Sequence, residues 1–116
     1  MPYLVSMLTA RVPVVVLALF TFSTGAAGGA DEAMLELGRQ VFLTTAEPPC
    51  GVCHTLANAE ATGTIAPNLD TMRPTAEEVR NALMEGPGAM PSYADTLSDE
   101  EIDAVAEHVA AVAGAE

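Results

Sequence analysis

The sequence predicts a small all-α domain of about 86 residues, with three main helices and irregular loops between them. Two helices are signalled by their starts. Thr75-Ala76-Glu77-Glu78 and Ser98-Asp99-Glu100-Glu101 both have capping-box spacing, in which a hydroxyl and a carboxylate three residues on satisfy each other's free backbone N–H groups. A third helix fits Asp31 to about Thr45, where Met34, Leu37 and Val41, with Leu35 and Phe42, recur at helical spacing. No stretch alternates convincingly enough to be a strand.

The first thirty residues stand apart. Arg11 is the only charge before Asp31, Val12 to Phe22 is an apolar run, and Gly25-Ala26-Ala27-Gly28-Gly29-Ala30 offers small residues to a signal peptidase. The run is about half the ~20 residues that a spanning helix needs. Residues 1–30 therefore read as a cleaved export signal and residues 31–116 as the domain, which places it in the periplasm with no stable membrane span after cleavage. An uncleaved anchor that adds Tyr3 to Leu8 is the other reading, initiation at Met7 would bring Arg11 closer to the terminus, and cleavage after Ala27 or Ala30 fits equally.

Composition bounds what remains. Once the signal is gone, Phe42 and Tyr93 are the only aromatic residues, in a domain near the size at which a hydrophobic core alone becomes marginal. Sixteen acidic residues against four arginines give a formal charge of −12, or −13 without Arg11. Nucleic acid is excluded as a partner. Such a surface favours basic docking faces, at rates that fall as salt rises, although solubility alone accounts for the charge equally well.

In the first predicted helix, Asp31, Glu32 and Glu36 sit near the start, where the helix dipole favours negative charge. Gly38, four residues before Phe42, reads on the residues alone as a tolerated helix glycine. Glu47-Pro48-Pro49 ends this helix. Directly after it comes Cys50-Gly51-Val52-Cys53-His54, with the chain's only two cysteines. This is the spacing of covalent haem attachment: two thiols a short turn apart each add across a haem vinyl group, and the adjoining histidine reaches beneath the ring to the iron. In an oxidising compartment the alternatives are a disulfide or another metal. A thioredoxin-like pair would want a β-α-β pattern, and structural zinc would want a second pair of ligands where only the distant His108 remains. The motif therefore predicts one c-type haem bound through Cys50 and Cys53 with His54 on the iron, and the macrocycle supplies the bulk that the aromatics do not.

Thr55 to Ile65, with Gly63, reads as a loop, and Pro67-Asn68 by itself as a turn. The helix opened at Thr75 carries Val79, Ala82 and Leu83 before Gly86 stops it. Gly86-Pro87-Gly88 then turns the chain into a tight loop that Pro91 stiffens, and a methionine held there, Met90, can point its sulfur at a metal. Met34 reads as core and Met84 as packed on its helix, while Met72, between Pro67 and Pro74, is a competitor for the iron. Tyr93 packs in the core or against the macrocycle, or bonds a propionate. Arg39, Arg73 and Arg80 are the cations that could pair with propionates, with Arg73 preferred because it lies in a loop. The last helix carries Ile102, Val105, Ala106, Val109 and Val112 or Ala113, and stops at Gly114. His108 within it reads as a packing residue, since a helix position does not reach the distal face of a haem.

Cys50 to His54, Ala66-Pro67-Asn68-Leu69 and Gly86-Pro87-Gly88-Ala89-Met90-Pro91 together resemble a small monohaem cytochrome c of class I, over roughly the whole chain after residue 30. The resemblance implies the class I fold, three main helices and loops wrapped around one covalent haem. It implies that the Pro67 carbonyl accepts a hydrogen bond from the His54 ring, that His54 and Met90 are the metal ligands, and that the Gly38 face crosses the last helix at close range. It further implies a one-electron carrier and not an enzyme, acting with redox partner proteins. Cys53-His54-Thr55-Leu56-Ala57, Ala61-Thr62-Gly63 before Pro67-Asn68-Leu69-Asp70, and Gly88-Ala89-Met90-Pro91 are similar to cytochrome subunits or acceptors of molybdenum-dependent sulfite dehydrogenases, which implies such an enzyme as donor and a terminal oxidase beyond. The alternative is a haem-based gas sensor or peroxidase-like enzyme with a displaceable Met90; it would want distal acid–base residues, and the loop offers only Asp95. A third reading is a haem-free dithiol protein.

Overall fold

The computed structural model describes residues 27–115, together with positions 10, 12 and 13. The expected export signal therefore lies outside the described residues, except for positions 10, 12 and 13 and for positions 27–30, which are already helical.

Helix α1 spans Ala27–Gln40 and continues into a π-helical turn, Val41–Thr45. It begins four residues before the expected Asp31, so Asp31 and Glu32 fall past its first turn and miss the strongest part of the dipole. Val41 and Phe42 are sealed in the core with Leu37 packed on them, whereas Met34, expected in that stripe, is 39% exposed. The covered stripe starts after it.

Beyond the prolines, α2 (Cys50–Cys53) is one turn that ends at His54, whose N–H donates to the Cys50 carbonyl at 2.9 Å. The segment expected as a loop contains a small hairpin: β1 (Thr55–Leu56) pairs antiparallel with β2 (Ala61–Thr62) around a 3-10 turn, Ala57–Ala59. Two residues per strand are too few to show as alternation. Between Pro67 and Pro74 the chain forms a one-turn helix, α3 (Leu69–Met72), and the Asn68 side chain caps it by accepting from the N–H groups of Asp70 and Thr71.

Helices α4 (Ala76–Glu85) and α5 (Asp99–Val112) begin where their sequence signals place them. In the first box Thr75 N–H donates to Glu78 at 2.8 Å and Glu78 N–H to the Thr75 hydroxyl at 3.2 Å; Ser98 and Glu101 repeat both distances. Met84 is 46% exposed and not packed. It lies one residue past buried Leu83, about 100° around the helix.

α5 is the hub. Its Ile102, Val105, Ala106 and Val109 are buried, and both α1 and α4 pack on it. A Cβ at Gly38 would run into the Ala104 carbonyl oxygen and stand 2.6 Å from His108 Cβ, so α1 and α5 touch backbone to backbone at that point. Among the described residues no helix is long and apolar enough to cross a membrane.

Candidate functional site

Between these elements lies a cavity of about 730 Å³, with Phe42, Leu69, Val79, Leu83, Val105 and Val109 in its walls. Cys50, Cys53, His54, Pro67 and Met90, drawn from three separate stretches of the chain, all line it. The structure thus brings the two thiols, the imidazole, the Pro67 segment and the Met90 loop to one cavity.

The thiols come first in the chain. Neither cysteine is in a disulfide. Burial, with Cys53 adjacent, pushes the Cys50 thiol up to about 11. At neutral pH only about one Cys50 in ten thousand is then a thiolate. Disulfide exchange needs the thiolate, which burial disfavours at Cys50. Addition across a vinyl group is a different chemistry: sulfur bonds one vinyl carbon, the proton goes to the other, and no oxidant is consumed.

His54 follows on the same turn. Its ring Nδ1–H donates to the Pro67 carbonyl at 2.8 Å. A carbonyl can only accept, so this bond assigns the proton to Nδ1 and leaves Nε2 bare for a metal. The Pro67 segment is itself tied down, since Ala66 N–H donates to the Cys53 carbonyl at 2.9 Å.

Met90 arrives from a loop closed at its neck. Tyr93 N–H donates to the Leu83 carbonyl and the Ser92 hydroxyl to the Met84 carbonyl, both at 2.8 Å, while inside the loop Met90 N–H donates to Pro87 at 3.1 Å. Gly86 makes the entry possible. Its φ is +63°, and a Cβ there would lie 2.9 Å from the Met90 carbonyl oxygen.

Tyr93 is buried, and its hydroxyl donates to the Pro48 carbonyl at 2.7 Å. Burial, with Cys50 nearby, pushes the phenol up to about 12, so it remains a donor. That bond occupies the hydroxyl proton that a propionate would need. Arg80 pairs with Asp103 at 2.6 Å, and Arg73, in a left-handed turn, reaches the Asp70 carbonyl beside Gly114. Arg39, Arg73, Arg80 and Asp95 are all absent from the cavity lining. The left-handed backbone at Arg73, the preferred cation, turns its side chain toward the end of α5. His108 also lies off the cavity, buried where α5 crosses α1.

A large apolar cavity, two unpaired thiols one turn apart, an imidazole with one nitrogen tied back and a thioether on the same lining fit a covalently attached haem. A family model described as "Cytochrome C oxidase, cbb3-type, subunit III" matches residues 33–109. The chain belongs to the class I monohaem cytochromes c. This cytochrome holds one c-type haem covalently through Cys50 and Cys53. It is 35% identical over 104 residues to the chloroplastic cytochrome c6 of Chlamydomonas reinhardtii, an alignment covering 81% of this chain and 64% of that protein's length. Among solved structures it resembles the c-type cytochrome SorU from Sinorhizobium meliloti, at a TM-score of 0.69 and 53% identity, covering 72% of this chain and 94% of SorU.

The residues that the sequence reading missed are those that hold the cytochrome's ligand segments. Asn68 and Asp70 act on backbone N–H groups, and Gly63 lets the hairpin pass over α2, where a Cβ would meet the Val52 carbonyl oxygen at 2.6 Å. The Asn68-x-x cap spacing was a usable signal. Nothing local marked Asp70 or Gly63.

Proposed function

We propose that this cytochrome is a periplasmic one-electron carrier, exported by a signal in residues 1–30, in which His54 and Met90 are the two axial ligands of the iron. The observation that carries this reading is that one cavity is lined both by an imidazole fixed at Nδ1 and by a methionine in a closed loop. The haem, when bound, supplies a reversible one-electron iron couple. Pro67 holds the imidazole by its Nδ1–H, and the neck of the Met90 loop limits how far the thioether can move. Two protein ligands leave no open coordination position, so the protein passes charge and makes or breaks no substrate bond.

Electrons leave through a docked partner. Val52, Ile65 and Met72 are 56%, 77% and 56% exposed, and the last two line the cavity, giving an apolar contact set in a strongly acidic protein. The partner proposed as donor is a molybdenum-dependent sulfite dehydrogenase, with a terminal oxidase as acceptor. Its support is the similarity of Cys53 to Ala57, Pro67 to Asp70 and Gly88 to Pro91 to the cytochrome acceptors of those enzymes.

The test is the absorption spectrum of the purified protein, ferric and ferrous, with and without carbon monoxide. A far-red methionine–iron band in the ferric form and a ferrous spectrum unmoved by carbon monoxide are expected. A high-spin or gas-binding spectrum would overturn the ligation and bring the sensor or peroxidase-like reading forward. For the partner, stopped-flow reduction by a sulfite dehydrogenase with sulfite should be fast at low salt and slow as salt rises.

A further inference from the structure

The stretch carrying His54 and the stretch carrying Pro67 run side by side and are tied at three points. Ala66 N–H donates to the Cys53 carbonyl, His54 Nδ1–H to the Pro67 carbonyl and Ala57 N–H to Asp70 Oδ2, at 2.9, 2.8 and 2.8 Å, and each bond joins residues thirteen positions apart. The first is backbone to backbone and the second holds the ring. The third depends on one carboxylate. The other oxygen of that carboxylate, Oδ1, accepts from Gly114 N–H at 2.8 Å, across 44 positions of sequence just past α5. Asp70 is itself held, because the Asn68 side chain takes its N–H at 2.9 Å. Asp70 and its two donors, Ala57 and Gly114, line a second, smaller cavity of about 210 Å³ together with Thr71, Arg73 and Ala115, and it shares no residue with the first.

We propose that Asp70 is a positioning residue for His54: by clamping Ala57 and Gly114 together it holds the Pro67 carbonyl against the imidazole, and it thereby tunes the reduction potential from outside the haem cavity. The proposal rests on His54 as an axial ligand. An imidazole whose Nδ1–H is firmly accepted is a stronger donor to the metal and favours the ferric state. Loosening the third tie lets the second lengthen, weakens that donation and raises the potential. The two N–H donors also hold the Asp70 carboxyl below its ordinary range, Gly114 first and Ala57 second.

Two holoprotein variants test this. Asp70→Asn keeps the shape but puts an NH₂ against one of the two N–H groups. Ala57→Pro removes only the Ala57 donor, at the first position of a 3-10 turn and after an extended Leu56 (φ −150°, ψ 100°) that tolerates a following proline. Ser98→Ala, which uncaps α5, controls for lost stability. Both test variants should raise the reduction potential and speed exchange of the His54 ring N–H at least tenfold by NMR. In Asp70→Asn either the Gly114 or the Ala57 N–H should lose protection, whereas Gly114 N–H should keep it in Ala57→Pro, and Ser98→Ala should leave the potential unmoved. Asp70→Asn that melts earlier with an unchanged potential and ring exchange would overturn the proposal, and so would a potential that shifts equally in Ser98→Ala. If Asp70→Asn does not fold, Ala57→Pro decides alone. Wild-type His54 ring protons without the hyperfine shifts of an iron ligand would defeat the ligation instead, a failure distinct from unmoved variants.

Discussion

His108 is the most conspicuous polar side chain in the core: it is buried, and its Nε2 has no hydrogen-bond partner among the described residues. Burial, aided by Arg39, holds its pKa below the ordinary 6.5, while the Leu35 carbonyl and Glu36 push weakly the other way. The unfolded chain therefore takes up a proton near pH 6.5 that the folded chain resists. Stability from this source is full above pH 6.5 and is lost as pH falls through the lowered folded value, by about 1.4 kcal/mol per unit of separation. Thermal melts between pH 7.5 and 5 should fall in the wild type and flatten in His108→Phe; parallel curves for the two would reject the assignment. At the iron, Met90→Ala should open a coordination position, so carbon monoxide should shift the ferrous spectrum of the variant and not of the wild type. Chemistry at this scale was legible where residues are adjacent. Cys50, Cys53 and His54 speak for themselves, whereas Asp70 works on two N–H groups thirteen and 44 positions away and Arg73 is redirected by its own backbone.

Among the elements, α5 sets the limits. Gly38 has no room for a methyl group against the Ala104 carbonyl, so Gly38→Ala must push α1 and α5 apart, at a cost of about 1–3 kcal/mol. Chemical denaturation should show that loss with little change in slope. Losing the α5 cap in Ser98→Ala should cost about 1 kcal/mol by the same measurement. The helix starts were readable because a capping box is local, four residues long and chemically specific. Gly38 was not: a helix glycine looks the same in sequence whether it faces water or another backbone, and only the resemblance argued for the crossing. The hairpin escaped for the opposite reason, being too short to carry a period.

The whole domain is built around its cavity. Without haem, the apolar walls of the 730 Å³ cavity, Leu69, Leu83, Val105 and Val109 among them, would face water or a void instead of a packed partner. A Cys50→Ala, Cys53→Ala variant made without haem should therefore lack a cooperative melt by circular dichroism. A cooperative melt near the wild-type temperature would show that the walls close by themselves. The need for filling was legible in a core with only Phe42 and Tyr93 as aromatics; which walls surround it was not, because Leu69, Leu83 and Val105 meet only in the fold. The Met90 loop leaves and rejoins the framework at a neck tied from Tyr93 to Leu83 and from Ser92 to Met84, with the left-handed Gly86 just inside it, so its ends are fixed without any bond from the Met90 side chain. The mount is thus separate from the donor it carries: exchanging the side chain at position 90 for an imidazole, an amine or no donor at all, with Gly86 kept, would give one scaffold several metal chemistries.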